Sequence, residues 1–92
     1  MNRLEVLNGS LEEQEITTLI ADGFDDAILG VVTDFNSEPR VAYSKSKCID
    51  ILMERDGMDY EEAMEYFDYN VSGAYMGEQT PIWVDDMMFE ED

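Results

Sequence analysis

The chain reads as an α+β domain: a short antiparallel sheet, made by a hairpin and a C-terminal strand, packed on two consecutive helices, with an additional N-terminal helix. Three observations carry that expectation. The run from Asp26 to Phe35 is rich in β-branched and apolar residues, meets the turn residues Asn36-Ser37-Glu38-Pro39, and returns as Arg40-Val41-Ala42-Tyr43 with alternation at Val41 and Tyr43. The stretch from Ser44 to Val71 carries two helix-length apolar patterns broken at Asp56-Gly57. At 92 residues, with 45% hydrophobic content, the chain suits one small core and exceeds the apolar content of a disordered acidic tail.

Taken in order, Met1 to Leu7 reads as a short edge strand or a loose arm, because Leu4, Val6 and Leu7 stand among polar residues. Asn8-Gly9-Ser10 is a turn motif. Ser10 with Glu13 has capping-box spacing, which predicts a helix from about Leu11 to Ala21 with Leu11, Ile16, Leu19 and Ile20 as its apolar stripe and Gly23 as its stop. After the hairpin, Ser44 or Ser46 caps a helix running to about Arg55, with Cys48, Ile49, Leu52 and Met53 facing inward and Gly57 ending it. Asp59 and Glu62 repeat the capping box and start the next helix, in which Tyr60, Ala63, Met64, Phe67 and Val71 recur at intervals of three and four residues. Gly73 and Gly77 bracket a turn, and Thr80-Pro81 opens a short strand, Ile82 to Val84, at the hairpin's side. The expected core includes Ile28, Val31, Val41, Ile49, Leu52, Met64 and Phe67. Residues 1–92 form one acidic domain in this reading, with 1–9 and 86–92 as its loosely ordered ends.

Charge is the most informative property. There are 23 acids, 5 bases and no histidine, a net charge of -18. Such a surface repels phosphate backbones and anionic lipid headgroups, so the sequence argues against direct contact with nucleic acid or membrane and in favour of a basic protein partner. The imbalance is also uneven: Lys45, Lys47 and Arg55 lie in the first of the two consecutive helices, whereas from Asp56 onward there are twelve acids and no base. A single cysteine, Cys48, excludes an internal disulfide and a cysteine-based zinc site. No apolar run reaches the length of a membrane span, and no leader precedes Leu11, so a cytoplasmic protein is expected.

Few residues suggest chemistry. Without histidine there is no ordinary general base, and Cys48 at an inward helical position reads as a small core residue. Asp56, Asp59, Glu61 and Glu62 are hard oxygen ligands, yet the calcium-loop pattern fails because Leu52 stands where an acid is needed before Gly57. The glycines of Gly73-Ala74-Tyr75-Met76-Gly77 read as a turn, and no phosphate-binding loop is present. The expectation is a protein without enzymatic activity, cofactor or dedicated metal site.

What the residues do suggest is a docking face. Glu61, Glu65 and Asp68 follow four- and three-residue steps on the second helix, with Glu62 on the shoulder, and like charges at that spacing repel. Asp59, Glu61 and Glu62 favour the positive end of the helix dipole, but Asp68 does not. Two readings are open: a solvated helix face, or a row of carboxylates imitating phosphates, joined by Asp85, Asp86 and the C-terminal acids. Tyr66 and Tyr69 lie off the buried stripe, and with Tyr75 they are candidate interface anchors. Trp83 is better placed to fill the core against Phe67 and the hairpin.

Between Arg40 and Val84 the words Val41-Ala42-Tyr43, Lys47-Cys48-Ile49, Asp56-Gly57-Met58, Tyr60-Glu61-Glu62-Ala63, Glu65-Tyr66-Phe67, Tyr69-Asn70-Val71, Gly73-Ala74-Tyr75, Gly77-Glu78 and Thr80-Pro81-Ile82 resemble a family of small uncharacterised bacteriophage and prophage proteins. The resemblance implies a phage-encoded protein in a bacterial cytoplasm and supplies no catalytic residue. By analogy it favours a nucleic-acid mimic of the anti-restriction or anti-CRISPR type. The alternative is a structural or assembly accessory that binds through Tyr66, Tyr69, Tyr75 and the segment from Met87 to Phe89. The partner's identity and the oligomeric state are not encoded in any motif.

Overall fold

The computed structural model describes residues 3–14, 18–21, 23–34, 37–73, 77 and 79–89. It is an α+β fold with a three-stranded mixed sheet in the order β1-β2-β3, where β1 is Ile28–Asp34, β2 is Ser37–Ser44 and β3 is Ile82–Val84. Among the described residues three α-helices accompany it: α1, Arg3–Gln14; α2, Lys45–Asp56; and α3, Tyr60–Tyr66, which runs into a π-helical turn at Phe67–Val71. Short 3-10 turns occupy Asp25–Ala27 and Met87–Phe89.

The hairpin forms where the sequence places it, with Val31 opposite Val41 in antiparallel register. Two irregularities bend it. Ile28 pairs with Tyr43 while Gly30 pairs with Ala42, so β1 carries an extra residue at Leu29; Val32 pairs with Arg40 while Asp34 pairs with Ser37, so β2 carries one around Pro39. Proline lacks the ladder N–H, and a bulge on the part of β2 that β3 does not reach accommodates it. The third strand differs from expectation in direction. Ile82, Trp83 and Val84 run parallel to Ala42, Tyr43 and Ser44, making the sheet mixed where an antiparallel one was expected. The two consecutive helices intervene between β2 and β3, and that long crossover returns the chain in the same direction.

The N-terminus departs most from the sequence reading. The helix is Arg3–Gln14, not Leu11 to Ala21, and Asn8-Gly9-Ser10 lies within it. Residues 3–9 are thus helical instead of forming a strand or arm. The reason is a stripe masked by the turn residues: Leu4, Leu7 and Leu11 fall at three- and four-residue steps, Leu7 and Leu11 are buried, and Leu4 packs against the same cluster. Burying two leucines contributes about 1.5 to 3 kcal/mol each, against roughly 1 kcal/mol lost by glycine in a helix interior. Gly9 is on the exposed side, where it interrupts no packing. Thr18, Leu19, Ile20 and Ala21 lie outside any helix, and Ile16 falls outside the described residues.

The core joins Leu7 and Leu11 of α1, Phe24, Ile28, Val41 and Tyr43 at the sheet, Cys48, Ile49 and Leu52 of α2, and Ala63 and Phe67 from the last helical stretch. All the expected core residues belong to it, Val31 and Met64 at its margin. Trp83 closes one side, with ring centroids 5.1 Å from Tyr43, 5.4 Å from Phe67 and 6.4 Å from Phe24. Tyr43 is completely buried, and its hydroxyl accepts a hydrogen bond from the Ala21 N–H at 2.7 Å, tying the loop before β1 to the sheet. Among the described residues, no helix is long and apolar enough to cross a membrane.

Candidate functional site

The boundaries of α2 and α3 are set by capping. Ser44 caps α2, its Oγ accepting from the Lys47 N–H at 3.2 Å, and Gly57 closes it in the left-handed conformation at φ 70°. Asp59 caps α3 reciprocally: its carboxylate accepts from the Glu62 N–H at 2.9 Å, while Glu62 Oε1 accepts from the Asp59 N–H at 3.3 Å. Beyond Tyr66 the helix widens, and the Ser72 N–H reaches back five residues to Phe67 O at 2.8 Å. Ala63 and Phe67 face the core; Met64 and Val71 pack at its edge. Tyr60, assigned by spacing to the buried stripe, is instead 49% exposed, because it is the first residue of the helix and reaches past the end of the core.

The outward side of this helix carries the candidate site. A groove of about 290 Å³ is lined by Met58, Glu62, Glu65, Tyr66, Tyr69 and Asn70. Four of the expected partner-binding residues therefore come together: Glu62, Glu65, Tyr66 and Tyr69. Tyr66 is 42% exposed and Tyr69 82% exposed. Met58 and Asn70 complete the groove and were not singled out from sequence. Met58 precedes the Asp59 cap, where an apolar residue commonly staples the helix start, and Asn70 falls four residues after Tyr66; these were the available clues.

The other expected residues are elsewhere. Glu61 is exposed on α3 outside the groove. Asp68 is exposed and faces α2, with a carboxylate oxygen 3.8 Å from Lys45 Nζ. Asp85 accepts from the Met87 N–H at 3.2 Å at the start of the C-terminal 3-10 turn. Asp86 is used within the fold, where it accepts from Ser44 Oγ at 2.6 Å and from the Ser46 N–H at 3.0 Å and so acts as a remote cap for α2. Burial works against its ionised form, but the hydrogen bonds from Ser44 and Ser46 outweigh it and hold the carboxyl below the usual aspartate range. Met87 packs against the core and Met88 is exposed, while Tyr75 and the acids after Phe89 lie outside the described residues.

Arg3, Arg40, Lys45 and Arg55 are engaged by the fold, while Lys47 is exposed on α2. Arg3 Nη1 donates to Ile28 O at 2.7 Å, and Arg40 Nε donates to Thr80 O at 2.6 Å. Arg55 donates to Gly23 O at 2.8 Å, forks onto Asp56 at 3.1 and 3.0 Å, and lies 5.6 Å from the Phe24 ring centroid. Lys45 sits 5.5 Å from the Phe67 ring centroid. These cations serve the fold, and the carboxylates lining the α3 groove face outward without one of them in the groove wall. A larger hollow, about 550 Å³, lies between the loop at Gly23 and α2, lined by Gly23, Asp25, Asp26, Ile51, Glu54 and Arg55. Arg55 crosses it as a structural clamp.

Cys48 is fully buried; burial, then the charge of Asp86, pushes its thiol up to about 12, so it is protonated near neutral pH. Among the described residues, no three His, Cys, Asp or Glu side chains converge as metal ligands would. No protein-family model, curated protein sequence or solved structure matches the chain.

Proposed function

We propose that this is a non-enzymatic, phage-encoded binding protein that works in a bacterial cytoplasm by occupying a basic, nucleic-acid-binding surface of a host protein, as a nucleic-acid mimic of the anti-restriction or anti-CRISPR type does. One observation carries the reading: the α3 face gathers Glu62, Glu65, Tyr66 and Tyr69 around an open groove, while Arg3, Arg40, Lys45 and Arg55 are engaged with the protein's own backbone and rings. A net charge of -18 supports it, since a field of that sign steers a basic partner and repels nucleic acid and anionic lipid. Glu61 and Asp68 extend the acidic row beyond the groove.

The test is capture of partners by the tagged chain from bacterial lysate at low and high salt, beside a Glu61→Lys/Glu65→Lys variant. The reading expects a nucleic-acid-binding protein that is retained at low salt, released at high salt, and lost with the variant. Undiminished capture by the charge-reversed protein sinks it.

A second reading draws on the exposure of Tyr69 and Met88, 82% and 73%, which is large for apolar side chains of a small domain. Here the protein is an assembly accessory that binds through Tyr66, Tyr69 and the Met87–Phe89 turn, with the acids serving solubility. Its capture would persist at high salt and fail in a Tyr69→Ser/Met88→Ser variant.

A further inference from the structure

We propose that the α3 groove is a receptor for an arginine side chain of the basic partner, the guanidinium lying against the rings of Tyr66 and Tyr69 while Glu62 and Glu65 accept its N–H groups. The inference rests on the basic-partner reading above and deepens it, from a field of charge to a groove with a chemical preference.

The composition of the groove favours that side chain over lysine. Carboxylates alone attract lysine and arginine alike. Here two carboxylates share the wall with two tyrosine rings, the Met58 side chain and the Asn70 amide. A planar guanidinium can fork onto a carboxylate and stack on an aromatic face at once, and it gives up hydration more readily than an ammonium. Met58 offers an apolar wall to the aliphatic stem. The helical spacing supports a shared face: Glu62 and Tyr66 are four residues apart, as are Glu65 and Tyr69. Tyr69 and Asn70 come from the π-helical turn, so the groove straddles the junction of two helical geometries, a common place for ligand contacts.

The same chain already builds this arrangement internally. Arg55 lies 5.6 Å from the Phe24 centroid while its nitrogens meet Asp56 at 3.1 and 3.0 Å, and Lys45 lies 5.5 Å from the Phe67 centroid with Asp68 at 3.8 Å. In both, a ring and a carboxylate hold one cation between them. The α3 groove has rings and carboxylates, and among the described residues its wall contains no cation.

Calorimetric titration of the full chain with hexa-arginine and hexa-lysine peptides, equal in length and charge, tests the preference at about 0.15 M salt. The arginine peptide should bind about threefold tighter, the factor expected of exposed ring–cation contacts. In a Tyr66→Leu/Tyr69→Leu variant the preference should vanish because the arginine peptide loses more affinity than the lysine peptide; Tyr69→Phe should retain the preference, and Glu65→Gln should weaken both peptides. Thermal melting verifies that each variant folds, as substitutions at exposed rings permit. Equal affinities in the native chain overturn the arginine inference and leave the basic-partner reading standing. A preference that survives removal of both rings also overturns it. Failure of both peptides to bind, even at low salt, removes the inference and the basic-partner reading together.

Discussion

The two consecutive helices use charged and polar groups in opposite ways. In α2 those at its two ends are tied to the fold: Ser44, Ser46 and Asp86 cap its start, Lys45 bridges to Phe67 and Asp68, and Arg55 fastens its end to Gly23, while Lys47, Asp50 and Glu54 are left exposed along its length. In α3 the reciprocal cap of Asp59 and Glu62 is a local device, and Glu61 and Glu65 extend outward from the same helix. The difference separates two kinds of residue. Substitutions around α2 should change stability, whereas substitutions on the outer face of α3 should change association and leave the fold nearly untouched.

The comparison is sharpest where α3 turns inward. Phe67 is 1% exposed and stands against Trp83 and beneath Lys45. Phe67→Ala should cost about 3 to 5 kcal/mol, through lost burial and the cavity left behind, measured by urea denaturation. A loss under about 1 kcal/mol would mean that the inner face of α3 is not anchored as described.

The next effect lies at the start of α2. Asp86→Ala removes the acceptor for Ser44 Oγ and the Ser46 N–H and should cost about 2 kcal/mol at neutral pH. The folded-state pKa of Asp86 lies below its ordinary value of 3.8, so its contribution is fully present above that value and is lost as pH falls through the folded pKa. The stability gap between the native chain and Asp86→Asn should therefore hold constant from neutral pH to about pH 5 and shrink in stronger acid. A gap that widens on acidification would refute the cap's sign.

Gly57 joins the two helices at φ 70° with open space around its missing Cβ. Gly57→Ala should cost about 1 kcal/mol from backbone conformation alone. The smallest effect on stability belongs to the outer face: Glu61→Lys and Glu65→Lys should each shift it by no more than about 0.5 kcal/mol, with a gain where like charges are relieved. The same changes should weaken binding to a basic partner and flatten its salt dependence. Should Glu65→Lys prove as destabilising as Asp86→Ala, the division between the helices would disappear.

Much of this was legible before folding because its causes are local. Ser44, Gly57 and the Asp59–Glu62 pair mark helix ends through bonds spanning a few residues, and Val41 and Tyr43 mark the sheet through alternation. The N-terminal helix is hidden in the sequence because Asn8-Gly9-Ser10 has the composition of a turn, while the benefit that overrides it, burial of Leu7 and Leu11, depends on a core assembled from distant segments. Period alone places Tyr60 inward, because a helical period carries no information on where the core ends along the helix axis. Within the candidate site, Glu65 and Tyr69 were legible from spacing, whereas the different fate of Asp86 was not: an acid forty residues from Ser46 in sequence gives no local indication that it caps that helix.

The sequence by itself determined the fold class, the hairpin, both ends of α2, the start of α3 and a net charge of -18, since these follow from composition and from contacts within a helical turn or a strand pair. Tertiary structure alone decided which acids remain outward. Packing of β3 parallel to β2 brings Asp86 to the start of α2, the sheet and loops take up Arg3, Arg40 and Arg55 through their carbonyls, and Phe67 draws Lys45 over its ring. Long-range hydrogen bonds and burial made those assignments, and they leave Glu62, Glu65, Tyr66 and Tyr69 around a groove that faces away from the core.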